Sequence, residues 1–216
     1  MDEWDFYKKK KVMKITWSLL LILFSLNSFG QKVYEQKMTE ALKEWKTGKN
    51  LEAMRLFEKI AIDEPQNWIP KYYLVLSGTR ASFHMKDAQK KIALIDSLTT
   101  LLPKEPQEQN AEWHILSALL LTSELISDPM ANGMNLTPQI VFYYSRALAL
   151  EPNNPRALAG LAEFNLNYKR YMGGDTQEEC NQLKKAILFF DEVNNKTLFY
   201  PSWGKERALE LLATCK

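Results

Sequence analysis

Two histidines, His84 and His114, are the only imidazole side chains in this chain of 216 residues. Metal sites and histidine-dependent nucleophiles need several ligands or partners that converge on one point. His84 meets Asp87 only across an expected helix boundary, and His114 has Ala118 one helical turn away. The sequence therefore predicts no metal site and no cofactor at either histidine, and it favours structural or partner-contacting roles.

Other residues that could do chemistry also lack the partners that chemistry requires. The Gly173–Gly174 pair follows no predicted strand and precedes no Lys-Ser/Thr, so we interpret it as a turn and not as a phosphate loop. Glu52, Glu58 and Glu163 are expected on solvated helix faces without a second carboxylate at catalytic spacing. These observations predict that the protein is not an enzyme.

The chain contains two cysteines, Cys180 and Cys215. Each lies on an apolar stripe of one of the last two predicted helices, at similar heights if those helices are antiparallel neighbours. The pattern favours a disulfide, which can persist in an oxidising compartment. The alternatives are two buried thiols that never meet, or a frayed C-terminus.

A recurring spacing indicates the elements that position these residues. Apolar residues at steps of four and three, closed by a proline, occur in three places: Ala53, Phe57, Ile60, Pro65; Ile140, Tyr144, Ala147, Pro152; and, more weakly, Lys91, Ile95, Leu98, Pro103. Such steps place side chains on one face of a helix, and the proline ends it. The pattern is typical of the second helix of a tetratricopeptide repeat (TPR).

We therefore predict an all-α fold, a TPR-like superhelix of about four degenerate helix hairpins with a C-terminal capping helix. The turn-rich stretch 128–136 is expected to be a loop inserted between helices five and six, with Pro138 starting helix six. Asn154-Pro155 is expected to begin helix seven, and Pro201-Ser202 to begin the capping helix from about Trp203.

Residues 1–30 have the pattern of a signal peptide, with a lysine-rich start, a short apolar run and small residues before an expected cut at Gln31. Met13 is an alternative start, and an uncleaved membrane anchor is an alternative fate. Removing 1–30 takes away five lysines and three acidic residues, which leaves a mature domain, 31–216, of zero formal net charge. Zero net charge argues against a nucleic-acid partner, and the signal predicts export to the periplasm.

Several short motifs occur together in the chain: Asn154-Pro155-Arg156, Gly173-Gly174, Pro201-Ser202-Trp203-Gly204 and the stretch 67–73. In this combination they resemble a family of small exported TPR proteins of Gram-negative bacteria. The resemblance covers nearly all of the mature chain. It implies a periplasmic helical-repeat protein, and it implies no particular activity.

The function predicted from the sequence is a non-catalytic module that binds a protein or peptide segment in the groove lined by the first helix of each hairpin. The candidate groove residues are Trp45, Tyr72, Arg80, His114, Arg156, Glu163 and Asn167. Arg80 and Arg156 are expected either to bind a partner carboxylate or to pair with a neighbouring helix. The alternatives are a membrane-anchored envelope-assembly scaffold and a helical protein that binds a small molecule or glycan.

Overall fold

The structure, a computed structural model, describes residues 30–103, 110–192 and 195–215. Within these ranges the chain forms nine α-helices and no strand, so the all-α prediction is confirmed. The helices are α1 (30–46), α2 (Asn50–Asp63), α3 (Trp68–His84), α4 (Ala88–Leu101), α5 (Ala111–Leu125), α6 (Pro129–Leu150), α7 (Pro155–Met172), α8 (Gln177–Glu192) and α9 (Lys205–Ala213).

Parts of the sequence predictions fall outside the described residues. The expected signal peptide, including Met13, lies there except for its last residue, Gly30, which is the first described residue of α1. The sequence also predicts a fifth helix that begins at Gln107, and this start lies outside the described residues as well. None of the described helices combines the length and the apolar composition that crossing a bilayer requires.

Helices from α2 onward are arranged in two layers. Each helix packs on its neighbour in sequence, and α3 also contacts α5, α5 contacts α7, and α7 contacts α9. The odd-numbered helices α3 to α9 therefore form one layer, which we call the inner layer, and α2, α4, α6 and α8 pack against it. This layering decides which side chains can share a cavity.

The apolar stripes found in the sequence are the contact faces of these helices. Ala53, Phe57 and Ile60 of α2 are buried in one core cluster with residues of α1 and α3. The equivalent stripe of α6, Ile140, Tyr144 and Ala147, is buried against α5 and α7. Lys91, at the position where the repeat prefers a small residue, is also buried.

The predicted loop at 128–136 is wrong. Helix α6 begins at Pro129, where Asp128 accepts a hydrogen bond from the backbone N–H of Ala131, and it continues through Pro138. A proline inside a helix leaves the carbonyl four residues earlier without its N–H donor. That residue is Met134, which is 96% exposed, so water can satisfy its carbonyl. The stretch is therefore part of a 22-residue helix and not an inserted loop.

The ends of α7 and α9 follow the predicted signals in part. Asn154 caps α7 through backbone N–H groups of Arg156 and Ala157, and Gly173 ends it with φ +73°, as expected. The last helix, however, begins at Lys205 and not near Trp203, because Gly204 has a left-handed φ of +108°. Residues 201–204 consequently form a non-helical segment, which contacts α3 through a hydrogen bond from Trp203 to Tyr72.

Candidate ligand-binding face

A buried ion pair connects α7 to α5 within the inner layer. Arg156, at the start of α7, donates to the carboxylate of Glu112 in the first turn of α5 with N–O distances of 2.7 to 3.0 Å. Glu112 is fully buried and Arg156 is 3% exposed. Burial alone would lower the pKa of Arg156, but the adjacent Glu112 carboxylate raises it, so the guanidinium stays charged.

Three further groups complete this network. Asn154 donates its side-chain amide to Glu112, at 2.9 Å, and Tyr72 donates its hydroxyl to the other carboxylate oxygen, at 2.8 Å. The indole N–H of Trp203 then donates to the Tyr72 oxygen, also at 2.8 Å. The network therefore links α3, α5, α7 and the 201–204 segment.

Three of the predicted groove residues are buried, which corrects the prediction for two of them. Tyr72 and His114 lie in the helical core and do not form a groove surface. Arg156 is also buried, although it borders an open cavity beside Asn154 and Tyr200. Arg156 follows the alternative of pairing with a neighbouring helix, and the His114 ring lies 6.0 Å from that of Tyr143. For Tyr72 and Arg156 the reason is Glu112, which the sequence interpretation overlooked. Its signal was a lone carboxylate in the first turn of a helix that has no second carboxylate before Glu124.

A cavity of about 620 Å³, which we call the inner pocket, opens on the inner layer. Residues of α3, α5, α6, α7 and α9 line it. Apolar and aromatic residues form the larger part of its walls, and seven polar or charged residues form the rest. The aromatic members are Phe83, Tyr144, Phe164, Tyr168 and Tyr171. The charged and amide members are Arg80, Glu163, Asn167 and Arg207, and His84 contributes an imidazole.

Local sequence explains how α7 supplies one wall. Gly160, Phe164, Asn167, Tyr168 and Tyr171 recur at steps of three or four residues and therefore share a helical face. A Cβ atom on Gly160 would lie 2.4 to 2.7 Å from ring atoms of Tyr144, so only glycine admits that ring. The sequence interpretation did not identify this stripe, although its spacing was visible.

The charges of the inner pocket are unevenly compensated. Arg207 donates twice to one oxygen of Glu163, at 2.6 and 2.8 Å, so these two charges neutralise each other. Arg80 lies with its guanidinium carbon 5.5 Å from the centre of the Trp203 ring and pairs with no carboxylate among the described residues. The lining therefore carries one uncompensated positive charge.

A second cavity, which we call the broad groove, adjoins the inner pocket. It is more open, about 1140 Å³, and lies between α1, the 199–204 segment and α9. Its aromatic members are Trp45, Tyr73, Phe199, Tyr200 and Trp203, and Arg80 and Arg207 belong to both cavities. Of the predicted groove residues, the structure thus brings Arg80, Glu163 and Asn167 to the inner pocket and Trp45 to the broad groove.

The structure bonds Cys180 of α8 to Cys215, just after α9, with Cα atoms 6.0 Å apart. The bond closes a loop with a sequence separation of 35 residues. It holds α9, and with it Arg207, against α8 and α7. Ala208 and Leu211 of α9 are buried in the same apolar cluster as Cys180.

Comparison with known proteins gives one structural relative. No family model matches the chain, and no curated protein matches it in sequence. Among solved structures, the HusA haemophore from Porphyromonas gingivalis matches with a TM-score of 0.67. The two share 20% sequence identity over 86% of this chain and 92% of that protein. This similarity shows that the chain has the same helical fold as HusA.

Proposed function

We propose that this chain is a non-catalytic binding protein whose inner pocket holds a flat, largely apolar ligand, with a haem or a related tetrapyrrole as the first candidate. The observation that carries the proposal is the pocket itself, about 620 Å³ with five aromatic side chains in its lining. That volume lies within the range of about 300–1,000 Å³ typical of small-molecule sites. Mostly apolar walls with a few polar groups are also typical of such sites.

The chemistry of the lining suits a tetrapyrrole. Phe83, Phe164 and Tyr171 offer aromatic faces and edges, which pack well against another flat π-system. His84 and the tyrosines carry imidazole and phenol groups, and both groups serve as haem iron ligands in proteins. HusA, which shares this fold, is by its title a haemophore. These facts support the proposal from two independent directions.

A haemin titration of the purified protein tests it. We expect a saturable change in the Soret absorption band at one haemin per chain. Replacing both Tyr168 and Tyr171 by Ala should weaken binding roughly tenfold, because aromatic contacts contribute about 0.5–1.5 kcal/mol each beyond their buried area. Both side chains are more than half exposed, so the variant should fold.

The matched control is Phe142→Ala. Phe142 is 57% exposed on α6 and does not line the inner pocket, so its removal should leave haemin binding unchanged. Unsaturable binding, or equal affinity of the wild type and the double tyrosine variant, would exclude this pocket as a tetrapyrrole site.

A protein or peptide partner is the second candidate, and the broad groove favours it. The groove is open and about 1140 Å³, which is large enough for an extended segment, and Trp45 and Trp203 line it beside charged groups. Capture of an envelope protein by the wild type, lost in Trp45→Ala but kept in Tyr171→Ala, would support this candidate. Equal capture by both variants would contradict it.

We further propose that the protein acts in the periplasm after export, as a TPR-like repeat protein. The disulfide between Cys180 and Cys215 supports an oxidising compartment, because such bonds are rare in the reducing cytosol. The repeated stripes and the inner layer of alternate helices support the repeat assignment. N-terminal sequencing of the exported protein would test both the cut before Gln31 and the anchored-scaffold alternative.

A further inference from the structure

The inner pocket contains a buried phenol without a hydrogen-bond partner. Tyr144 is 2% exposed, and its hydroxyl makes no hydrogen bond to any described residue. The oxygen is not sealed in the core, since the only fully enclosed side-chain polar atom without a partner in the described part of the chain is Oε2 of Glu179. Tyr144 lines the inner pocket, so its hydroxyl is available there to a ligand.

This hydroxyl is a hydrogen-bond donor at every physiological pH. Burial raises the pKa of Tyr144 well above the ordinary value, and the Glu163 charge raises it further, while Arg80 opposes both. A protonated phenol that faces a mostly apolar cavity gains most from an acceptor that carries a charge. The group therefore points to a ligand oxygen.

Arg80 provides the charge that such a ligand oxygen would need. It is half-buried on α3, it lines the inner pocket together with Tyr144, and it has no carboxylate partner among the described residues. Arg80 and Tyr144 also line a second, smaller cavity together, beside Gly160 and Trp203, so the two groups lie in one neighbourhood. Glu163, the carboxylate of this wall, is held by Arg207 and does not compensate Arg80.

We infer that Arg80 and Tyr144 form a carboxylate-binding corner of the inner pocket, so that its ligand is a flat apolar molecule carrying a carboxylate. The inference rests on the proposed function, because it assigns the polar end of the ligand in the same pocket. A guanidinium binds a carboxylate through two N–H donors, and the phenol adds a third donor. The carboxylates of a haem could accept these hydrogen bonds, and so could the carboxylate of another planar acid.

Two pairs of probes distinguish a haem from another planar acid as the ligand. Haemin is compared with haemin dimethyl ester, and pyrenebutyrate with pyrenebutanol, so each pair differs in its carboxylate and keeps its apolar body. We expect the wild type to bind each acid about tenfold more tightly than its neutral counterpart, as a charged hydrogen bond in a half-buried site would give. Arg80→Gln and Tyr144→Phe should each reduce or abolish that preference.

The chain offers matched controls for both variants. Arg146 is exposed on α6 and Tyr143 precedes Tyr144, and neither lines the inner pocket. Arg146→Gln and Tyr143→Phe should therefore keep the preference for the acids. Thermal unfolding of all four variants shows whether any loss comes from misfolding.

Each outcome decides one of the two claims. If haemin does not bind but pyrenebutyrate is preferred in a manner that depends on Arg80 and Tyr144, the tetrapyrrole proposal fails and the corner stands. Equal binding of acid and neutral forms by the wild type overturns the corner, even if haemin binds. A preference that survives in both Arg80→Gln and Tyr144→Phe overturns it too, as does the absence of binding by all four probes.

Discussion

The indole N–H of Trp203 lies 2.8 Å from the hydroxyl oxygen of Tyr72, although 131 residues separate them in sequence. Tyr72 in turn donates to Glu112, the carboxylate that also holds Arg156. The C-terminal segment is thus fixed to the inner layer through one buried carboxylate. Because Trp203 lines the broad groove and lies under Arg80, the same hydrogen bonds also shape the candidate ligand-binding face.

Replacing Glu112 by Gln should destabilise the protein strongly. The substitution keeps the shape of the side chain but leaves the buried Arg156 guanidinium without its counter-charge. Removing one partner of a buried ion pair typically costs about 3–5 kcal/mol of the free energy of unfolding. Urea unfolding followed by circular dichroism measures this loss.

Asp63→Asn is the control for that measurement. Asp63 pairs with Lys37 at 2.7 Å, but both side chains are about half exposed. Exposed pairs contribute roughly 0–1 kcal/mol, so the midpoint should hardly change. If Glu112→Gln unfolded at the same urea concentration as Asp63→Asn, the buried pair would not stabilise the inner layer.

Alkaline pH should weaken the fold through two tyrosines near this network. Burial raises the pKa of Tyr73 to about 12 and that of Tyr200 to about 12. In the unfolded chain a phenol ionises near pH ~10. Above that pH the unfolded state loses protons that the folded state keeps, so these tyrosines' contribution to stability is lost as pH rises from about 10 to about 12.

Urea midpoints measured between pH 9 and pH 12 check this expectation. The double variant Tyr73→Phe, Tyr200→Phe should show a shallower decline over the same interval, since phenylalanine does not titrate. An unchanged slope in the double variant would mean that other groups cause the alkaline loss.

The disulfide should contribute measurably to the stability of the C-terminal helices. A cross-link with a sequence separation of 35 residues restricts the unfolded chain, which corresponds to roughly 4 kcal/mol from loop-closure entropy. The variant with both Cys180 and Cys215 replaced by Ser should lose a similar free energy of unfolding, and its thermal midpoint should therefore be lower than that of the wild type. Alkylation of the exported protein without prior reduction should leave both cysteines unmodified, and two alkylated cysteines would contradict the bond.

Local periodicity predicted the helices because burial of a helix face repeats every 3.6 residues. The stripe of Ala53, Phe57 and Ile60 needs no knowledge of its partners to be recognised. Likewise, the Asn154 cap and the Gly173 turn depend on residues within one turn of the helix end. The α6 start was missed because Asn, Gly and Pro residues outweighed a cap at Asp128 that the structure uses.

The polar network and the pocket were beyond such local patterns. Glu112 contacts groups 40 to 44 residues away, so neither its burial nor that of Arg156 follows from the neighbours of either residue in sequence. The inner pocket likewise combines side chains of five helices, and the sequence identified only those that fall on the first helix of a repeat. Tyr144 was assigned to the core correctly, but its open hydroxyl depends on the space that Gly160 leaves.

Two helical glycines provide a paired test of this packing. Gly133 lies within α6 and a Cβ atom there would meet nothing within 4 Å, whereas a Cβ atom on Gly160 would collide with the Tyr144 ring. Gly133→Ala should therefore stabilise the protein by about 0.5–1 kcal/mol, because alanine loses less backbone entropy in a helix. Gly160→Ala carries the same entropic gain but should destabilise by roughly 1–3 kcal/mol, since the ring must move in a packed core. Thermal unfolding of both variants checks the opposite signs, and a stabilised Gly160→Ala would show that Tyr144 does not pack on α7 as described.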